Sequence, residues 1–144
     1  MAEVGCWTGI STKLFARYFT MIYAVDPWSN EQPEIASEHN MAEVEKIFDQ
    51  RVNMLKSVIK VKATSAAAVQ GMQDNSLDLV YIDALHAYEH VKEDLKLWRY
   101  KVRRGGFLCG HDYSKKFPGV MRALEEFRGT NFKLFPDTSW VVKL

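Results

Sequence analysis

Short apolar runs alternate with longer amphipathic stretches along nearly the whole chain, and this alternation restricts its fold more than any other feature. Met21-Ile22-Tyr23-Ala24-Val25, Val58-Ile59-Lys60-Val61 and Leu77-Asp78-Leu79-Val80-Tyr81-Ile82-Asp83 have the length and the β-branched and aromatic content of buried strands. Between them lie helical patterns. Leu14, Phe15, Tyr18 and Phe19 share a face over 11–20. Met41, Val44, Phe48, Val52 and Leu55 recur at helical spacing behind Asn40, with Glu43 completing a capping box. Tyr88, Val91, Leu95 and Trp98 predict a helix over about 87–101, and Thr64 or Ser65 can cap a short one. Prolines and small polar residues make 28–39 a loop or a broken helix. Gly105-Gly106 is expected to turn into the strand Phe107-Leu108-Cys109, and Pro118 suits the first turn of a helix carrying Val120, Leu124 and Phe127. Phe132 to Phe135 and Trp140 to Val142, split by Pro136-Asp137, read as a closing hairpin.

Strands alternating with helices imply βαβ units. The expected fold is therefore α/β, a Rossmann-like sandwich of about seven strands, mostly parallel, with an antiparallel hairpin at one edge. At 144 residues the chain is expected to form one domain over 1–144. Nineteen basic against 18 acidic side chains leave a net charge of +1, which gives no electrostatic case for nucleic acid or an anionic membrane. No apolar run approaches the roughly 18 residues of a membrane span. The N-terminus lacks the basic and apolar regions of a signal peptide. Cys6 and Cys109 lie far apart and fit a reducing compartment. A cytoplasmic location is expected.

In open parallel sheets, ligands bind beyond the carboxyl ends of the strands. Those ends are Gly5 to Gly9, Asp26 to Trp28, Lys62 to Ser65, Asp83 to His86 and His111 to Tyr113. Glycine at the first lets backbone approach a ligand closely. Only a GxxxG is present there, not the GxGxxG of dinucleotide sites, so an adenosine without phosphates fits better than a pyrophosphate. A plain strand-to-helix turn would explain the two glycines equally well. Asp26, 21 residues after Gly5, adds an acid that can take both ribose hydroxyls.

Glu3-Val4-Gly5-Cys6-Trp7-Thr8-Gly9, with Ser11-Thr12 and Asp26-Pro27-Trp28, resembles motif I and the second acidic motif of class I S-adenosylmethionine-dependent methyltransferases. Leu79-Val80-Tyr81-Ile82-Asp83-Ala84-Leu85-His86-Ala87-Tyr88-Glu89 and Gly105-Gly106-Phe107-Leu108-Cys109-Gly110-His111-Asp112-Tyr113 narrow the resemblance to small O-methyltransferases that include macrocin-type sugar enzymes, distant relatives of the catechol type. It covers essentially the whole chain. The resemblance implies a cofactor-binding set of Glu3, Gly5, Cys6, Trp7, Gly9, Ser11, Asp26, Trp28, Ser65 and Asp83. Within it Gly5, Cys6 and Gly9 flank the methionine, Asp26 holds the ribose and Ser65 lies near the adenine. Such enzymes carry helices ahead of motif I that cover the cofactor. Here the first strand starts almost at Met1, so that cover is expected to be missing.

Other patterns have plainer explanations. His86-Ala87-Tyr88-Glu89-His90 matches a zinc-protease motif letter for letter, but His86 precedes the helix that would have to hold both histidines. Glu89, His90, Lys92 and Glu93 read as a solvated helix face, and Lys101, Arg103 and Arg104 as basic residues favoured at a helix C-terminus. Trp7 and Trp28 stand at strand ends, where packing and contact with a sulfonium are equally good explanations. Asp83 can cap a helix and Asp112 can make a turn. The convergence of Asp83, His86, His111 and Asp112 on one rim favours chemistry instead.

The expected function is methyl transfer from S-adenosylmethionine to a hydroxyl oxygen of a small molecule or sugar, assisted by a divalent cation. The catalytic residues are His86, as base, and Asp83. The metal ligands are Asp83, His111 and Asp112, whose two carboxylates favour Mg²⁺ or Mn²⁺. In the resembling enzymes the metal trio is all oxygen and a lysine stands at the base position. Besides the acceptor, a second copy in a homodimer is the one partner the sequence admits; no nucleic acid or membrane is expected. The rival readings are a catalytically silent S-adenosylmethionine-binding fragment or oligomer subunit and, less favoured, a nucleotide-dependent oxidoreductase.

Overall fold

The computed structural model describes residues 1–31 and 39–144, so most of the loop expected at 28–39 lies outside the described residues. Seven strands form one sheet in the order β3-β2-β1-β4-β5-β7-β6. They are β1 (Ala2–Val4), β2 (Ile22–Asp26), β3 (Val58–Lys62), β4 (Leu77–Ile82), β5 (Val102–Gly110), β6 (Lys133–Leu134) and β7 (Trp140–Lys143). The first five are parallel, while β7 pairs antiparallel with both β5 and β6. This is the expected Rossmann-like sandwich with its antiparallel edge.

Among the described residues five helices connect the strands: α1 (Ile10–Phe15), α2 (Met41–Val52), α3 (Ser65–Gln70), α4 (Tyr88–Trp98) and α5 (Pro118–Arg128). None is long and apolar enough to cross a membrane. Asn40 caps α2 by accepting from the Ala42 amide, and Thr64 caps α3 by accepting from Ala67. One apolar cluster joins Val80, Ile82 and Leu108 of the sheet to Val91, Leu95 and Trp98 of α4 and Leu124 of α5. A smaller one, built on Ala24, Trp28, Val44 and Phe48, seats α2. Val4 pairs with both Val25 and Ile82, so β1 lies between β2 and β4. The chain leaves β1 toward one side and later returns to the other, which opens a crevice above the strand tips.

Four local expectations are corrected. The first helix stops at Phe15, not residue 20, because the Arg17 and Tyr18 amides turn back to Leu14 and Phe15 in tighter i→i−3 bonds. Leu14 and Tyr18 consequently stay 50% and 75% exposed. Leu55 falls beyond α2, its amide bonded to the Val52 carbonyl in a turn. The helix predicted over 87–101 is shorter, spanning Tyr88–Trp98. Gly105-Gly106 does not precede a strand but lies inside β5, where the pairing register with β4 shifts between Leu77 and Leu79. Arg103 and Arg104 are thus strand residues, and Arg103 Nε donates to Asp78 at 2.7 Å instead of meeting a helix dipole.

Candidate functional site

Beyond β1 the backbone turns back under its own amides. Gly5 takes φ +86°, and a Cβ there would lie 2.1 Å from the Asp83 carbonyl oxygen. Only glycine lets the tip of β1 touch the tip of β4 so closely. Trp7 and Trp28 also take positive φ, of 50° and 40°. Asp26, at the tip of β2, holds these bends. Its Oδ2 accepts the amides of Cys6 at 3.0 Å and Trp7 at 2.9 Å, and its Oδ1 accepts that of Trp28 at 2.8 Å. Burial pushes the Asp26 carboxyl up, against the pull of these three amides.

A cavity of about 690 Å³ opens on this loop. That size is ordinary for a small-molecule site. Gly5, Cys6, Trp7, Ser11, Asp26, Ser65, Asp83, His86 and Asp112 all line it, so the strand ends singled out in the sequence do meet around one space. At its β4–β5 end Asp83, His86 and Asp112 bring ligating atoms within 4.8 Å of one another. His86 Nε2 lies 2.7 Å from Asp112 Oδ2, and its ring stacks on Phe117 at 4.2 Å. Burial, then the charge of Asp112, raises the Asp83 carboxyl, while His111 and His86 oppose the rise.

His111 is not one of the three. Its Nδ1 lies 3.1 Å from Asp112 Oδ1, and its carbonyl accepts from Trp140 Nε1 at 3.1 Å, away from the cavity. His86 takes the place expected for it because the loop after β4 brings the imidazole over Asp112.

Three residues expected to bind cofactor stand off the cavity wall. Glu3 is fully buried, its Oε2 accepting from Thr12 Oγ1 at 2.5 Å and its Oε1 without a partner among the described residues. Burial pushes its carboxyl up to about 7. Gly9 has positive φ and faces Phe48, 2.8 Å from where a Cβ would sit, so packing sets that glycine. Trp28 is a core residue, its ring 4.7 Å from Phe48 and its Nε1 donating to the Trp7 carbonyl at 2.9 Å. Trp7 remains half-exposed on the wall, edge-on to His39 at 5.0 Å. Cys6 is buried, its thiol donating to the Glu3 and Val25 carbonyls and pushed well above its usual range, which leaves it inert as a nucleophile.

The cavity also includes residues not anticipated, notably His90, Glu93 and Asp94. His90 and Glu93, read as solvated, form part of its rim. Asp94 was detectable: it interrupts the apolar stripe Val91, Leu95, Trp98, where a charged side chain needs a reason to be buried.

A sheet ordered in this way, with a glycine loop at the tip of β1 and an acid at the tip of β2, defines the class I S-adenosylmethionine-dependent methyltransferase fold. A family model described as a methyltransferase domain matches residues 2–113, and the chain belongs to that family. Among solved structures it is similar to the O-methyltransferase NovP, with 16% identity and a TM-score of 0.73 over 99% of this chain and 70% of that one. CalS11, a TDP-rhamnose 3′-O-methyltransferase of calicheamicin biosynthesis, shows 17% identity and a TM-score of 0.67 over the same shares. An rRNA methylase from Streptococcus thermophilus shows 12% identity and a TM-score of 0.70 over 99% and 85%. These likenesses show the fold and not the acceptor. The sequence matches no curated protein.

Proposed function

We propose that the chain transfers the methyl group of S-adenosylmethionine to a hydroxyl oxygen of a small molecule or sugar. The observation that carries this reading is the convergence of Asp83, His86 and Asp112 within 4.8 Å at one end of a cavity whose other walls are the glycine loop and Asp26. The oxidoreductase reading lacks a third glycine.

When bound, S-adenosylmethionine supplies an electrophilic methyl on a sulfonium; the S–CH₃ bond breaks as the O–CH₃ bond forms, and the hydroxyl proton must leave. Asp26 offers the ribose hydroxyls an acceptor at the tip of β2, with its amide partners holding the carboxylate in place. The Trp7 ring gives the cationic sulfur an aromatic wall. With Nε2–H held against Asp112, His86 keeps Nδ1 as the acceptor for the hydroxyl proton, and the Asp112 charge steadies the resulting imidazolium. Asp83 and Asp112 present the carboxylate oxygens that a hard divalent cation such as Mg²⁺ or Mn²⁺ takes, and such an ion would lower the hydroxyl pKa. The two vicinal oxygens of a diol would complete the shell of such an ion.

Isothermal titration with S-adenosylmethionine and with NAD, followed by turnover on a panel of sugars and catechols, tests this. Micromolar binding of the first ligand alone, with turnover of at least one hydroxyl acceptor, is expected. Binding without turnover across the panel would leave the silent-subunit reading, and preference for NAD would sink both.

A further inference from the structure

We propose that Asp94, on α4, reads the exocyclic amine of the adenine, and that Trp98 and Ser65 set the hydrogen-bonding sense in which it does so. This rests on the reading that the cavity takes S-adenosylmethionine.

The argument starts from a chain of three side chains. Trp98 Nε1 can only donate, and it donates to Ser65 Oγ at 2.8 Å. The single hydroxyl proton of Ser65 is therefore free to go to Asp94, whose Oδ1 accepts it. Asp94 is fixed as an acceptor on that side. Its residue is 6% exposed, and what remains exposed borders the cavity. Among the described residues no protein group donates to Oδ2. That oxygen is accessible from the cavity, on a side chain otherwise buried, so its lone pairs are presented to whatever donor a ligand brings there.

The position selects which part of the ligand that is. Asp26 stands at the tip of β2, its Oδ2 taking two amides and its Oδ1 one, which leaves Oδ1 a lone pair for the ribose, and Asp83 and Asp112 stand with His86 at the β4–β5 end. Asp94 is on α4 and is tied through Ser65 to the start of α3, and Ala63 and Ala66, on that side of the chain, line the same cavity with small side chains. With ribose at Asp26 and the reacting methyl toward Asp83, the base occupies the wall they line. Small neighbours leave room for a flat ring, and adenine's amine is the donor a carboxylate can meet. Burial raises the Asp94 carboxyl to about 6, so it is still ionised at neutral pH.

The test is calorimetric titration of the full chain at pH 7.5 with S-adenosylhomocysteine and with S-inosylhomocysteine, in which a carbonyl replaces the amine. The wild type should prefer the adenine form by roughly tenfold or more, since a site made for a donor rejects an acceptor. In Asp94→Asn the Ser65 proton still calls for an oxygen, so the carboxamide turns its NH₂ to the cavity, and the preference should reverse toward the inosine form. A wild type that binds both equally, or a folded Asp94→Asn variant that keeps the wild-type ratio, overturns the proposal while leaving the methyl-donor reading intact. A wild type that binds neither overturns the methyl-donor reading and this one with it. If Asp94→Asn does not fold, the wild-type pair of titrations decides alone.

Discussion

His86 Nε2 and Asp112 Oδ2 meet at 2.7 Å although 26 residues separate them. The contact exists because β4 and β5 are neighbouring parallel strands whose loops leave from the same edge, Ile82 level with Gly110. Asp112 enters it with φ +63°, a conformation a non-glycine residue keeps only when its surroundings hold it. Phe117 holds the other partner by stacking on the imidazole.

That arrangement carries the first prediction. EDTA should abolish turnover and Mg²⁺ or Mn²⁺ should restore it. Asp83→Asn and Asp112→Asn should remove activity while S-adenosylmethionine affinity stays within a few fold. His86→Gln should lower kcat by about 10²–10⁴, the usual share of a general base. Steady-state assays paired with calorimetry check all four. Full activity in EDTA would strike out the cation and leave the carboxylates as partners of His86 only.

Asp26→Ala should weaken S-adenosylmethionine binding at least tenfold and also lower the melting temperature. It strips an acceptor from three amides, each costing about 1–3 kcal/mol if left unpaired and dry. Calorimetry and thermal denaturation measure the two effects separately. A folded variant with an unchanged Kd would refute the ribose assignment.

Glu3 predicts a pH dependence of stability. Its carboxyl sits at about 7 in the folded chain against an ordinary 4.5, so folding favours the protonated form. The stability this contributes is complete below pH 4.5 and is lost as pH rises through 7, by on the order of 3 kcal/mol. Asp94, at about 6, acts with the same sign, so the variant must isolate Glu3. Glu3→Gln, which mimics the protonated acid, should raise the midpoint of urea unfolding over wild type at pH 8 and change it little at pH 4.5. Equal gains at both pH values would mean the carboxyl does not titrate in this window.

Gly5→Ala should be among the most damaging of single substitutions. The new methyl would sit 2.1 Å from the Asp83 carbonyl oxygen at a φ that side chains rarely adopt, and the atom it meets is backbone. A loss of about 4 kcal/mol or more, with weakened cofactor binding as the β1 and β4 tips part, is expected from chemical denaturation and titration.

The strands, the parallel order they imply and the cavity above their tips were legible in the sequence, because hydrophobic periodicity reports directly which elements are buried. So was Asp26, since strand length puts it at the end of β2 and the missing third glycine narrows what it meets. Residue order could not choose between His86 and His111 as the third member of the trio. Both follow strands that end side by side and both imidazoles reach Asp112, and only the register of β4 on β5 and the path of each loop decide which of them also faces the cavity with Asp83. Trp28 likewise looked equally fit for contact or packing until α2 placed Phe48 against it. The bulge that draws Arg103 into β5 depends on the pairing with β4, which no local signal announces. Asp94 shows the division most clearly: the sequence marks it as a charge in an apolar stripe, but the packing of α3 beside α4 supplies Ser65, and with it the direction of the hydrogen bond. Periodicity is a property of one segment, whereas a site is a property of several, and their relative placement is set by the sheet.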